Sequence, residues 1–266
     1  MHNLSDKPLV KEKFSKFINS YDKYAIIQKR VIQDIEKTIS KFLKSQDIFN
    51  NKNILEIGCG TGFFSKEISS IFSNSKIIFS DLSKIIINKL KSNIKKTNNK
   101  YLFKVIDGEK FKLSKHYDFI FSSSTFQWFS FLQDAINNFV GHLSSDGYFI
   151  FSMFTGDTLK FFYLFLQDIK KEVNIPIYYK YKDIIKFLKL NNLHIVYSKE
   201  IKYNIEFEQA NDLLKMMKYT GTTGLKLLQN NLTKSDILKI DKLYYKKYNF
   251  VKEYFFSSIF IAKKIT

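Results

Sequence analysis

Three glycines at alternate positions, Gly58, Gly60 and Gly62, follow the apolar run Ile54-Leu55-Glu56-Ile57. Phe63-Phe64-Ser65-Lys66-Glu67-Ile68 then opens a helical pattern. Strand, tight turn and helix start, in that order, let backbone without Cβ atoms approach a ligand closely. Asp81 ends the β-like run Lys76-Ile77-Ile78-Phe79-Ser80 and follows Gly58 by 23 positions (81 − 58). That is near the spacing at which dinucleotide folds place a carboxylate to accept two hydrogen bonds from a ribose diol. Leu82, next to it, offers an apolar face to a base. Two plainer readings stand beside these: Asp81 as a helix N-cap, and the turn as a connection that binds nothing. A nicotinamide or flavin turn wants G-x-G-x-x-G. Here the position for the third glycine is Phe63, and Gly62 comes one residue early.

The remaining chemistry is sparse. Cys59, inside the turn, is the only cysteine, which excludes an intramolecular disulfide and a cysteine-rich metal site; no metal is expected. The four histidines, His2, His116, His142 and His194, are scattered and read as structural or surface residues. No acid–base pair stands out.

The elements that must position these residues follow from periodicity. Apolar residues from Glu12 to Leu43 recur at three- and four-residue spacing, which predicts a helix before the first strand. Tyr21 and Gln28 on it are candidates to face the ligand, although Tyr21 and Tyr24 also fit a plain apolar face. Strands are expected at 54–57, 76–80, 101–105, 117–122 and 148–151, with helices at 63–72, 84–96 and 135–143 between them. Ser122 ends the fourth strand beside the point where open α/β sheets place ligands, and Ser123 to Trp128 enter the site from there. Helices at 159–173 and 182–190, a strand at 194–197, a helical stretch at 207–248 and a last strand at 255–262 complete the chain. Repeated β/α units with one glycine-rich turn argue for a doubly wound α/β sheet.

Composition bounds the partners. The net charge is +18, yet Arg30 is the only arginine, and lysine, isoleucine, asparagine and phenylalanine abound. Lysine as solvated surface explains much of that charge; steering of an acidic partner is the functional alternative. The first residues lack a signal-peptide plan and the longest apolar runs are too short to span a bilayer, so a soluble cytoplasmic protein without a membrane partner is expected.

E-x-G-x-G-x-G, with Glu56 inside the strand, resembles the signature of class I S-adenosylmethionine (SAM) methyltransferases. Further motifs resemble one family among them, the malonyl-acyl-carrier-protein O-methyltransferases of biotin synthesis, over nearly the whole length. They are Phe14-Ser15-Lys16-Phe17…Tyr21-Asp22…Gln28, the glycine turn, Asp107-Gly108-Glu109, Gln127-Trp128, Phe151-Ser152…Thr158-Leu159, Lys218-Tyr219-Thr220-Gly221-Thr222-Thr223 and Leu232-Thr233-Lys234-Ser235. Departures occur at Ser123, where asparagine is frequent, Phe161, where glutamate is frequent, and Thr222, where alanine is usual.

The resemblance implies a Rossmann-like, seven-stranded mixed sheet with an antiparallel last strand and a helical cap inserted before it. The expected parts are an N-terminal helical segment (1–45), a SAM-binding α/β domain (46–206), the cap (207–250) and the final strand (251–266). It implies SAM as methyl donor and S-adenosylhomocysteine as product. Tyr21, Gln28, Glu56, Gly58, Cys59, Gly60, Gly62, Asp81, Leu82, Asp107, Gly108 and Ser122 are then expected on the cofactor. Tyr21, Gln127, Trp128 and Lys218 are expected at the acceptor, with Lys218 preferred over Arg30 as the cation for a malonyl carboxylate. A carboxylate acceptor is ionised at neutral pH and needs no general base, which suits the lack of an acid–base pair. The expected partner is the acidic malonyl-acyl carrier protein. Another small-molecule methyltransferase, acting on trans-aconitate or a quinone precursor, is the alternative, and a catalytically dead methyltransferase fold is a third reading. Nucleic-acid methylation is disfavoured, because Ser122-Ser123-Ser124-Thr125 lacks the prolines of base N-methyltransferases and Cys59 is committed to the turn.

Overall fold

A computed structural model describes residues 6–43, 46–114, 116–171, 177–221 and 232–265. Two helices, α1 (Lys7–Tyr24) and α2 (Ile26–Phe42), stand where the sequence predicts one. Asp6 caps α1 by accepting the Leu9 N–H at 3.1 Å, and Pro8 lies in the first turn, where its missing N–H costs nothing. Buried Ala25 takes φ −77° and ψ 47° and breaks the ladder between the helices. Neither glycine nor proline marks the break, so the apolar period runs through it.

The parallel half consists of β1 (Asn53–Ile57), α3 (Phe63–Ile71), β2 (Lys76–Asp81), α4 (Lys84–Asn93), β3 (Lys100–Val105), β4 (Tyr117–Ser123), α5 (Leu132–His142) and β5 (Leu143–Thr155). After it come α6 (Lys160–Asp168), α7 (Tyr181–Leu190), β6 (Leu193–Phe207), α8 (Ala210–Tyr219), α9 (Lys234–Tyr248) and β7 (Val251–Lys264). Among the described residues the strands make one seven-stranded sheet in the order β3-β2-β1-β4-β5-β7-β6. The first five run parallel, and β7 is antiparallel to β5 and β6. This is the doubly wound mixed sheet that the sequence predicts. The chain order reverses between β1 and β4, which places the ligand-binding crevice there.

Alternation along the strands covers both faces. Phe119 and Phe121 pack with α2 and α3, while Ile120 packs with α5 and α7 on the other face. At β5 the neighbours Phe149 and Phe151 stack with ring centroids 4.5 Å apart.

The last two strands are much longer than 194–197 and 255–262. β7 pairs with β5 only up to Thr155↔Phe256, whereas β6 and β7 continue paired to Phe207↔Val251. The five β7 residues Val251 to Phe255 thus project as a two-stranded ribbon, about 17 Å long. It extends beyond the carboxyl end of β5 and carries α8 and α9. Tyr203 on the ribbon donates to Asp34 Oδ2 at 2.7 Å, and Arg30 donates to the Asn204 carbonyl at 2.9 Å, fastening α2 to it. Thr233 and Asp236 form a capping box at the start of α9. The buried Glu253 carboxyl accepts from Tyr244 Oη at 2.5 Å and from the Phe162 N–H, tying α9, α6 and β7 together. Thr222 and Thr223 of the cap motif lie outside the described residues.

Candidate functional site

A cavity opens at the carboxyl ends of β1, β2 and β4, with α1 along one side. The glycine turn forms its floor, and all three glycines have positive φ. Their reasons differ. A Cβ at Gly58 would lie 2.2 Å from Thr125 Oγ1, and one at Gly62 would lie 2.4 Å from Leu90 Cδ1. At Gly60 a Cβ would meet nothing within 4 Å. Packing therefore requires glycine at Gly58, the φ of +96° favours it at Gly62, and Gly60 faces open cavity.

Asp81, at the tip of β2, lines the same cavity with Leu82. Its Oδ2 accepts the Gly60 N–H at 3.2 Å and its Oδ1 accepts the Ser83 N–H at 3.0 Å. Burial pushes the carboxyl up to about 6, against the pull of these amides. The N-cap of α4 is Ser83, not Asp81, so the plainer reading of Asp81 falls away. Thr61 Oγ1 is buried at the cavity wall with no hydrogen-bond partner among the described residues.

Asp107 and Gly108 line the far end. There Lys7, from the first turn of α1, reaches Asp107 at 2.8 Å and Glu109 at 2.6 Å. Burial lowers the Lys7 ammonium, but hydrogen bonds to both carboxylates carry it upward overall. The Glu109 side chain is only 2% exposed, so Lys7 supplies the charge that its burial requires. Lys7→Ala is expected to destabilise the protein by roughly 1–3 kcal/mol and to make α1 cleavable under limited proteolysis. Denaturant unfolding together with a protease time course checks both. Unchanged cleavage would show that α1 is held by its apolar face alone.

A smaller, narrow space adjoins the first and is lined by Phe14, Tyr21, Gln28, Gln127 and Trp128, among others. The Gln127 Nε2 donates to the Ser124 carbonyl at 2.6 Å, which orients the side chain. A third space runs under the glycine turn past Gln28, Glu56 and Cys59. Burial pushes the Glu56 carboxyl up to about 8 even though it accepts from Ser65 Oγ at 2.6 Å. Cys59 is buried and its thiol pushed well up by the same cause.

The structure thus gathers Tyr21, Gln28, Glu56, Gly58, Cys59, Gly60, Asp81, Leu82, Asp107, Gly108, Gln127 and Trp128 around connected spaces. Gly62 stands behind the turn against Leu90. Two expected residues lie elsewhere. Ser122 is fully buried in the sheet and donates to the Ile57 carbonyl at 2.9 Å, so its hydroxyl is spent on strand pairing. Lys218 is exposed on the last turn of α8, its ammonium 5.7 Å from the ring centroids of Phe17 and Tyr219 and outside every one of these spaces. Lys7 and Tyr178 line the cavities unannounced by the sequence, whereas Thr61 and Ser124 lie in the glycine turn and in the stretch expected to enter the site. Lys7 precedes the apolar period and Tyr178 sits in an irregular segment, so neither carried a signal; the polar run Ser122 to Thr125 did.

A methyltransferase-domain family matches residues 55–149. A malonyl-acyl-carrier-protein O-methyltransferase of Ilyobacter polytropus is 32% identical over 248 residues, which is 91% of this chain and 91% of that protein. The chain belongs to the malonyl-acyl-carrier-protein O-methyltransferase family. A Bacillus cereus member of the family is 29% identical over 229 residues, 82% of each chain. Coverage of this extent takes in the helices between β6 and β7 as well as the glycine turn. The fold is also that of magnesium protoporphyrin IX methyltransferase from Synechocystis PCC 6803, solved with bound SAH, at a TM-score of 0.56 and 13% identity over 88% of this chain and 82% of that one. At that identity the second likeness concerns fold alone.

Proposed function

We propose that the protein transfers a methyl group from SAM to the free carboxylate of malonyl-acyl carrier protein, leaving S-adenosylhomocysteine and the malonyl methyl ester. The observation that carries the reading is the match across 91% of both chains to a relative of that name, cap included. The site fits the donor. Gly60 leaves room where a ligand must approach, Asp81 offers carboxylate oxygens beside it, and Thr61 Oγ1 awaits a partner. Asp81 takes the ribose hydroxyls, Leu82 packs on the adenine, and Asp107 takes the adenine amino group.

When bound, SAM supplies an electrophilic methyl on a sulfonium, so that an acceptor oxygen gains the carbon as sulfur keeps the electron pair. No proton moves, and the protein's task is proximity, orientation and exclusion of water. Tyr21 and Trp128 line both the large and the small cavity, where the two reactants must meet. Burial raises the Tyr21 hydroxyl far above its usual range, so it acts as a neutral donor and not as a base. Gln127, braced by the Ser124 carbonyl, walls the acceptor side. The parts are an α1–α2 segment closing over the donor, the α/β sheet, and a cap spanning 207–250. No described helix is long and apolar enough to cross a membrane, and the cytoplasm is where the carrier substrate is met.

Mass spectrometry of malonyl carrier protein incubated with enzyme and SAM tests this. The expected product carries one methyl on the malonyl group, released by mild ester hydrolysis. Equal or faster methylation of free dicarboxylic acids would move the function to a small-molecule carboxylate methyltransferase.

A further inference from the structure

Two residues line all three spaces of the site, Tyr21 and Ser124. They stand where the large cavity, the small cavity and the space under the glycine turn meet. Tyr21 reaches the junction from α1 and Ser124 from the end of β4.

Ser124 is held there by its backbone. Its N–H donates to the Ser152 carbonyl at 3.0 Å, and its own carbonyl accepts Gln127 Nε2 at 2.6 Å. Its φ is +53°, in the left-handed region that a serine occupies only when its surroundings impose it. The side chain is different. Ser124 Oγ is buried and has no hydrogen-bond partner among the described residues. A hydroxyl fixed by strained backbone at a cavity junction, with its proton unassigned, lacks one acceptor.

The small cavity limits what that acceptor can be. Among the described residues, none of the ten lining it is charged. Lys218 and Arg30, the cations nearest to hand in the sequence reading, are engaged elsewhere, with Phe17 and Tyr219 and with the Asn204 carbonyl. Among the described residues, a carboxylate entering this space therefore meets only neutral donors to replace its water. For alkylation of a carboxylate this is an advantage. The acceptor's negative charge disappears as the ester forms, so a fixed cation would stabilise the starting anion more than the transition state. Hydroxyls hold the anion in place and release less when it is lost.

Resting on the malonyl-ester reading above, we propose that Ser124 Oγ donates to the acceptor carboxylate, with Tyr21 Oη as the second donor, so that neutral hydroxyls and not Lys218 hold the carboxylate. One carboxylate oxygen takes these hydrogen bonds and the other is left to attack.

The test separates donor from acceptor. For Ser124→Ala, the KM for malonyl carrier protein is expected to rise about 10- to 100-fold, the loss of one hydrogen bond to a charged group. The SAM dissociation constant, measured by calorimetry without acceptor, is expected to stay within about twofold. Ser124→Asn tolerates positive φ and supplies an amide donor; it is expected to recover part of the loss, which a purely structural serine would not predict. A Ser124→Ala enzyme with normal acceptor KM overturns the proposal, as does a loss confined to SAM affinity. Lys218→Ala is expected to leave turnover of a small malonyl thioester unchanged, and a collapse there restores the cation. The same variants are assayed on free dicarboxylates. If only those acceptors are methylated and Ser124→Ala still raises their KM, the malonyl-carrier reading fails and the Ser124 assignment stands. A wild-type enzyme that methylates no carboxylate removes both.

Discussion

Gly60→Val is expected to abolish SAM binding, by at least about 100-fold, while the protein remains folded. A Cβ at Gly60 meets nothing within 4 Å, so the valine has room in the empty site and overlaps the ligand when it arrives. A close-packed pocket does not relax enough to hold both. The φ of +54° adds strain for an L side chain, about 1–2 kcal/mol, which a domain of this size survives. Gly58→Val is the contrasting control. There the new side chain collides with Thr125 at 2.2 Å, so thermal unfolding should show a large loss of stability along with binding. Calorimetric titration with SAM and a melting curve for each variant distinguish the two cases. Gly60→Val that binds SAM like the wild type would falsify the assignment of the turn to the donor.

Asp81→Ala is expected to weaken SAM about 10- to 100-fold, because a ribose loses a charged acceptor worth about 1.5–3 kcal/mol. The pH dependence makes this sharper. With the carboxyl raised to about 6 by burial, SAM affinity should fall as pH drops from 7 towards 5, since the protonated acid no longer accepts two hydrogen bonds. Asp81→Asn should bind weakly at every pH and lose that dependence. Stability of the ligand-free protein moves the opposite way. Asp81 and Glu56, raised from 3.8 to about 6 and from 4.5 to about 8, hold protons in the native state that the unfolded chain has released. Between about pH 4 and 8 the native state binds more protons, so stability falls as pH rises through that window. Glu56→Gln should flatten its upper part. Denaturant midpoints at about pH 5, 7 and 9, which bracket the two values, read this directly.

The cofactor side was legible because its signals are local. Three alternating glycines after an apolar run, and an acid a fixed distance on, need only a strand, a turn and a second strand to meet. The parallel strands announce themselves as apolar runs because both faces are covered. β6 does not. It lies at the sheet edge, half-exposed over much of its length, and its outer half carries Lys199, Glu200, Lys202, Asn204 and Glu206. No apolar run marks residues whose pairing with β7 comes from the far end of the chain. The acceptor side was legible in part. The resemblance brings Gln127 and Trp128 to the site, but Lys218, which a carboxylate acceptor suggests as its cation, is held on the α8 surface among aromatic rings. Ser124 reaches the cavity junction through a left-handed backbone that no residue type betrays.

The ribbon that carries α8 and α9 also bears on how such enzymes diversify. Residues 208–250 leave the sheet after Phe207 and return at Val251, and those two residues stand opposite each other in the ladder. An insert between paired strand ends costs only about 0.6 kcal/mol more in closure for each doubling of its length. Its sequence can drift, lengthen or be exchanged while the strands beneath keep their register. The donor machinery, built at the carboxyl ends of β1 and β2, sits several strands away from that junction. The insert can then be exchanged as a cassette, passed between members of a fold without reopening the question of how the methyl donor is held.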